Sequence, residues 1–133
     1  MPTALVNVAD IVKVSAQQAG DRRALGFEGQ SWTYAQLDEA IDRFAAALAA
    51  LRLPRPSVVS IFTESVPELI IAYLGTARAG HITNIINGTL QGPEVAFILA
   101  DSDTRVLVTD GARWRLLANR QDLPETLERG LVA

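Results

Sequence analysis

A chain of 133 residues, 49 % apolar and 20 % charged, is long enough to bury one hydrophobic core and falls within the size of a single domain. Its net charge of −3, with 12 basic residues that are one lysine, Lys13, and otherwise arginines scattered along the chain, provides no basic face of the kind nucleic acid requires. The absence of cysteine and the single histidine, His81, exclude disulfides, thiolate metal sites and the usual histidine-based zinc site.

No apolar run reaches the ~18–20 residues of a membrane span. The first residues, Met1-Pro2-Thr3-Ala4-Leu5-Val6-Asn7, carry no basic stretch ahead of an apolar core and do not read as a secretory signal. The sequence thus predicts a soluble, cytoplasmic protein.

Helical and strand-like periods alternate along the chain. Residues 8–19 form the first predicted helix, with Asn7 as N-cap, Asp10 in the first turn and Gly20 as a left-handed closing residue. Residues 23–27 and 31–33 flank Glu28-Gly29-Gln30 and predict a hairpin. Thr33-Tyr34-Ala35-Gln36 matches a capping box. Beyond it Leu37, Ile41, Phe44, Ala45, Leu48 and Leu51 recur on one face of a helix of about five turns. Pro54-Arg55-Pro56 ends that helix, and residues 57–62 read as a buried strand.

Ser65-Val66-Pro67-Glu68 reads as a second capping box, opening a helix that turns Leu69, Ile70, Tyr73, Leu74 and Ala77 inward and stops at Gly80. Residues 81–86 are β-branched and strand-like. Gly92-Pro93-Glu94 begins a helix ending near Asp101, and residues 105–109 are another strand. Asp110 caps a short helix holding Trp114, Leu116 and Leu117. Pro124 opens a last predicted helix to Gly130, before a strand starts at Leu131-Val132-Ala133. Strands separated by helices predict βαβ crossovers and a mostly parallel sheet flanked by helices, an α/β fold with an N-terminal hairpin, in one unit over residues 1–133. Neither a Gly-x-Gly-x-x-Gly nor a Gly-x₄-Gly-Lys-Ser/Thr segment follows any strand, against a self-contained dinucleotide or P-loop domain.

The order of five segments carries a resemblance. Ser31-Trp32-Thr33-Tyr34-Ala35-Gln36-Leu37 leads into the Ala-rich Phe44-Ala45-Ala46-Ala47-Leu48. Ser65-Val66-Pro67-Glu68, then Tyr73-Leu74-Gly75 with Ala79-Gly80, follow. Gly92 to Ser102 and Arg105-Val106-Leu107-Val108-Thr109-Asp110 complete the series. Each has a capping or packing explanation, but together, over residues 8–115, they resemble the N-terminal portion of the adenylate-forming superfamily of acyl-CoA synthetases, luciferases and adenylation domains. The resemblance implies an N-terminal subdomain of that fold, truncated at its C-terminal end. It also implies a family reaction in which a carboxylate and ATP give an acyl-adenylate and then a CoA thioester. The absence of Pro-Leu-Asp-Pro after His81, where the chain reads Thr83-Asn84-Ile85-Ile86-Asn87-Gly88-Thr89, favours fatty or other organic acids over amino acids. ATP, Mg²⁺ and CoA are implied for a complete enzyme. The family's Ser/Thr/Gly-rich loop and catalytic lysine have no counterpart here, so no catalytic, cofactor-binding or metal residue is expected on this chain.

In open α/β sheets ligands bind beyond the carboxyl ends of strands. Glu64 and Ser65, after one strand, and Asn87, Gly88 and Thr89, after the next, are therefore the candidate rim of an acyl or CoA channel, although a helix cap and a turn account for the same residues. His81, Trp32 and Trp114 read as structural, and Asp101 and Asp103 as solvated turn residues. A competing expectation is a free-standing interaction module that self-associates or complements a separate C-terminal chain through an open sheet edge. A flavodoxin-like or receiver-type domain needs an acidic cluster or phosphate loop that the sequence does not show.

Overall fold

The computed structural model describes residues 7–131. Its elements are α1 (Asp10–Ala19), β1 (Arg23–Phe27), β2 (Gln30–Thr33), α2 (Tyr34–Ala50), β3 (Val58–Phe62), α3 (Pro67–Arg78), β4 (Ile82–Ile85), α4 (Gly92–Asp101), β5 (Thr104–Thr109), α5 (Gly111–Trp114) and β6 (Glu128–Leu131). β1 and β2 pair as an antiparallel hairpin through Glu28 (φ 49°) and Gly29 (φ 80°), the two positive-φ positions that make a turn follow the strand twist. The other strands form one parallel sheet in the order β4-β3-β5-β6.

Residue alternation along the strands separates two cores. Val59, Ile61, Val106 and Val108 face Leu48 of α2, Ala72 of α3 and Ala79 at the α3 C-cap. Phe62 and Leu107 face the other way, onto Val95 and Leu99 of α4 and onto Leu117. A third cluster of Val12, Leu37 and Ile41 fastens α1 to α2.

The Thr33 capping box forms as its spacing predicts. Gln36 N–H donates to Thr33 Oγ1 at 3.1 Å, and Thr33 N–H to Gln36 Oε1 at 2.9 Å. The Ser65 box does not form. A residue before proline is pushed into extended backbone, and Val66, at φ −122° and ψ 163°, cannot be the first helical residue that a Ser65 cap requires. Val66 itself is the N-cap, without a side-chain bond, and Pro67 takes the first turn.

Helix α1 starts later than expected, at Asp10. Asn7 still bonds at its start, where Ala9 N–H donates to Asn7 Oδ1 at 2.8 Å and Asn7 N–H donates to Asp10 Oδ2 at 2.9 Å. Gly20 is right-handed (φ −56°), not left-handed, and its carbonyl accepts the Ala35 N–H of α2 at 3.1 Å, across the hairpin that separates them in sequence. The helix expected after Pro124 is also absent. Leu127 N–H closes a turn on Pro124 O at 3.2 Å, and the chain then enters β6 against β5, so ladder pairing takes residues that local pattern assigned to a helix. Val132 and Ala133 of the expected final strand lie outside the described residues.

Helix α3 differs in which face it buries. Its deepest positions are the small Ala72, Gly75 and Thr76, while Leu69, Ile70, Tyr73, Leu74 and Ala77 are half-buried. Phe44 of α2 explains this: a Cβ on Gly75 would meet Phe44 Cδ1 at 2.6 Å and Phe44 Cβ at 2.9 Å. The two helices approach at a glycine, and the aromatic ring fills the notch. Arg78 ties the far end of this pair, with Nη2 at 2.8 Å from Asp38 Oδ1 and bonded to Ala9 O at 2.9 Å, and Nη1 at 2.9 Å from Asp42 Oδ1.

The α3 terminus is a Schellman turn. Gly80 (φ 83°) donates to Ala77 O at 3.0 Å, and His81 N–H to Thr76 O at 3.1 Å. The turn delivers the His81 ring to the base of the sheet, where its Nδ1 accepts the Ser57 N–H at 3.0 Å. Burial, assisted by the charge of Arg55, lowers the His81 pKa below its ordinary 6.5. The ring is therefore held neutral as an acceptor.

Two outcomes follow from these contacts. Gly75→Ala gains up to ~1 kcal/mol of helix propensity but overpacks the notch at a cost of ~1–3 kcal/mol. The net expectation in urea denaturation is a loss of up to about 2 kcal/mol. A double-mutant cycle with Phe44→Ala, which removes the Cγ and Cδ1 that the new methyl would meet, should show the two substitutions to be coupled. For His81, the unfolded chain binds a proton near 6.5 that the native state refuses, so stability is complete above that pH and declines as the pH falls below it. His81→Ala, which orphans the Ser57 N–H, should cost ~1–3 kcal/mol. His81→Asn retains an acceptor and should remove this slope from stability curves measured between pH 7.5 and pH 5.5.

Candidate functional site

The order β4-β3-β5-β6 reverses direction at β3. The chain leaves β3 through α3 to β4 on one side, then crosses back through α4 to β5 on the other. Such a reversal opens a crevice between the carboxyl ends of the two central strands, the usual ligand position in an open α/β sheet. Here those ends are Phe62, leading into Thr63-Glu64-Ser65, and Thr109, leading into Asp110.

Three of these side chains and one backbone group converge. Asp110 caps α5, its Oδ1 accepting the Arg113 N–H at 2.8 Å, while its Oδ2 takes Arg113 Nη1 at 2.7 Å. The Arg113 Nε donates to Gly88 O at 3.0 Å, and Nη1 lies 3.7 Å from Glu64 Oε1. The guanidinium carbon stands 5.9 Å from the centroid of the Phe62 ring, within cation–π range. Burial works against the charge of Asp110. The Arg113 N–H, its guanidinium and the Glu64 N–H outweigh it and hold the carboxyl below its ordinary value.

Glu64 and Gly88 of the expected rim are thus brought to one place. A Cβ on Gly88 would fall 2.6 Å from Thr63 O, so the loop after β4 lies directly on the loop after β3 and only glycine permits the approach. Asn87 and Thr89 form an exposed turn of their own, with Thr89 N–H and Oγ1 on Asn87 Oδ1 at 3.0 and 2.8 Å. Ser65 is exposed. It lines an apolar cavity of about 170 Å³ between the hairpin and α3, with Leu25, Phe27, Pro67 and Ile70 among its walls.

Sequence reasoning missed Arg113. The Asp110-x-x-Arg113 spacing was legible as a cap, but the reach to Gly88, 25 residues earlier, is a product of the fold. The remaining residues singled out from sequence are placed as packing or turn groups: Trp114 is half-buried against the α4 core, Trp32 lies in the hairpin opposite Leu25, Asp101 is exposed and Asp103 (φ 53°) makes the turn into β5. Among the described residues no three His, Asp or Glu side chains are grouped to hold a metal ion. Lys13 lies on α1, 3.6 Å from Asp38 and 3.9 Å from Asp42.

The same architecture recurs in known proteins. The chain is 35 % identical over 122 residues to acetyl-coenzyme A synthetase of Streptomyces coelicolor, a match covering 85 % of this chain and 19 % of that protein. It is 34 % identical over 111 residues to 3-hydroxybenzoate–CoA/4-hydroxybenzoate–CoA ligase of Thauera aromatica, covering 82 % of this chain and 21 % of the relative. The chain therefore spans about a fifth of the length of these relatives. Its fold superposes on the anthranilate CoA ligase AuaEII, solved in complex with anthranoyl-AMP, with a TM-score of 0.89 over 95 % of this chain and 25 % of that one, at 23 % identity. A family model described as AMP-binding enzyme matches residues 12–132, and the chain belongs to that family.

Proposed function

We propose that these residues serve as the N-terminal part of an ATP-dependent ligase that joins a fatty or other organic acid to CoA through an acyl-adenylate, working in the cytoplasm. The observation that supports this most is the family match over residues 12–132 in a chain whose relatives, an acetyl-CoA synthetase and a hydroxybenzoate–CoA ligase, are about five times longer. Glu64, Ser65, Asn87, Gly88 and Thr89 are assigned to the rim of the acyl or CoA channel. They stand beyond the carboxyl ends of β3 and β4, where such a sheet receives ligands.

ATP and Mg²⁺ do not fit the described residues. Phosphoryl transfer needs cations and oriented donors at close quarters. Lys13 is paired with Asp38 and Asp42, Arg113 Nε and Nη1 are bonded to Gly88 and Asp110, and among the described residues no three His, Asp or Glu side chains are grouped to hold a metal. No step of adenylation is therefore assigned to this chain, and the isolated 133 residues are expected to be inactive. No helix among the described residues is long and apolar enough to cross a membrane.

A second reading has its own support. β4 is an edge of the described sheet, and Ile82 and Ile85 on it are 50 % and 49 % exposed, without the charges or proline that usually protect an edge. As a free-standing module the chain would self-associate there, or accept a separate C-terminal chain.

Acid-dependent ATP–pyrophosphate exchange separates these readings. The complete product of the reading frame should exchange with at least one acid of a panel of acetate, benzoate and hexanoate, and the purified 133-residue chain should remain at background. Exchange by the short chain alone would overturn its assigned inactivity. A frame that ends at Ala133, together with a dimer that Ile85→Lys converts to monomer in sedimentation, would replace the ligase reading with the module.

A further inference from the structure

We infer that Arg113 is a positioning residue for the ligand-facing end of the sheet, a clasp that fixes the loops after β3, β4 and β5 relative to one another. The inference rests on the reading of those loops as the rim of a substrate channel, and it assigns the rim's shape to a residue outside it. Arg113 holds a backbone carbonyl of the β4 loop through Nε (Gly88 O, 3.0 Å). It holds the carboxylate that ends β5 through Nη1 (Asp110 Oδ2, 2.7 Å). The β3 loop joins the same node, with Glu64 Oε1 3.7 Å from Nη1 and the Phe62 ring 5.9 Å from the guanidinium carbon. The Asp110 carboxylate also accepts the backbone N–H groups of Arg113 and Glu64.

The centre of the node is sheltered, with the Arg113 side chain 17 % exposed and that of Asp110 25 % exposed, whereas the Glu64 side chain is 70 % exposed and its ion pair is screened by water. The loop after β4 is anchored by Ile86 and Leu90 in the α4 core, but Asn87 and Thr89 between them are exposed and bond to each other, and Gly88 O is the point at which Arg113 reaches this turn. The planar fork of arginine meets a carbonyl and a carboxylate in different directions at once. A lysine ammonium on a flexible stem reaches either one with less preorganisation. Gly88 lies against Thr63 O without room for a Cβ, so a shift of the β4 loop moves the β3 loop with it.

The test compares Arg113→Met and Arg113→Lys with wild type and with Arg120→Met, a surface control whose partner is Asp122. Amide hydrogen exchange is read at Glu64, Thr89 and Leu90, with Val59 and Leu107 of the central strands as internal reference. Arg113→Met should speed exchange at the three loop amides at least ~30-fold more than at the reference amides. Arg113→Lys should recover part of that protection, and Arg120→Met should change neither set. In the complete ligase Arg113→Met should raise KM for the acid or for CoA ~10-fold with kcat within ~3-fold of wild type, the signature of disturbed positioning rather than lost chemistry.

Equal acceleration at loop and reference amides would overturn the inference, reducing Arg113 to a general stabiliser. Unchanged loop exchange would overturn it as well. Loosened loops with both KM values intact would refute the link to substrate while leaving the ligase reading standing. A complete protein without ligase activity would instead sink that reading, and the exchange data alone would then decide whether the clasp exists.

Discussion

The constraint on which this molecule turns is that all the paired strands of its main sheet run in one direction. A parallel neighbour cannot be reached by a tight turn, so each connection must cross over the sheet and carries a helix with it. Placing β4 and β5 on opposite sides of β3 then puts α3 and α4 on opposite faces. That division creates the two apolar cores and leaves the crevice between the ends of β3 and β5. The helix pair on one face obeys a further limit, since α2 and α3 approach closely enough to require Gly75 beneath Phe44. What stands at the ligand-facing end is thus decided by connectivity before any polar side chain is considered.

Much of this was legible where one physical rule acts on neighbouring residues. The Thr33 capping box, the glycine that ends α3 and the cap at Asp110 appear as their spacing predicts, as does the apolar face of α2 up to Leu48, Leu51 being its exposed C-cap. The misreadings share a cause, which is competition from something outside the local pattern. Ser65 lost its cap to the backbone restriction that Pro67 imposes on Val66. Residues after Pro124 lost their helix to pairing with β5. The inward face of α3 was assigned to its large side chains, whereas contact with Phe44 selects the small ones. At the candidate site Glu64 and Gly88 were found through their place after strands. Arg113 was not, because nothing near it in sequence marks a partner 25 residues away.

Kinship and chemistry separate clearly here. The chain matches an acetyl-CoA synthetase and a hydroxybenzoate–CoA ligase at 35 % and 34 % identity, although those names describe acids of very different size and shape. A segment equally similar to both does not single out an acid. Fold alone does not determine substrate. The features established above are consistent with scaffold duty: caps, a Schellman turn, a glycine notch and strand ends held in register.

Two arginines show how the same chemistry serves different ends. Arg78, 12 % exposed, bridges Asp38 and Asp42 of α2 to the Ala9 carbonyl ahead of α1. The helices it joins also meet through Phe44 against Gly75 and through the Val12, Leu37 and Ile41 cluster, so the ion pairs are not their sole contact. Buried ionic contacts in such a setting offset their own desolvation and add modestly to stability. Arg113 makes a comparable set of bonds, but its partners are a loop carbonyl, a loop carboxylate and a strand-end ring. At that end Glu64, Asn87 and Thr89 are polar and exposed, while Ile86 and Leu90 of the β4 loop pack into the α4 core. The weight of an ion pair therefore depends on what else holds its partners. On the reading of Arg113 as a clasp, its bonds position the polar residues between such anchors, where those of Arg78 join helices that also meet along apolar faces.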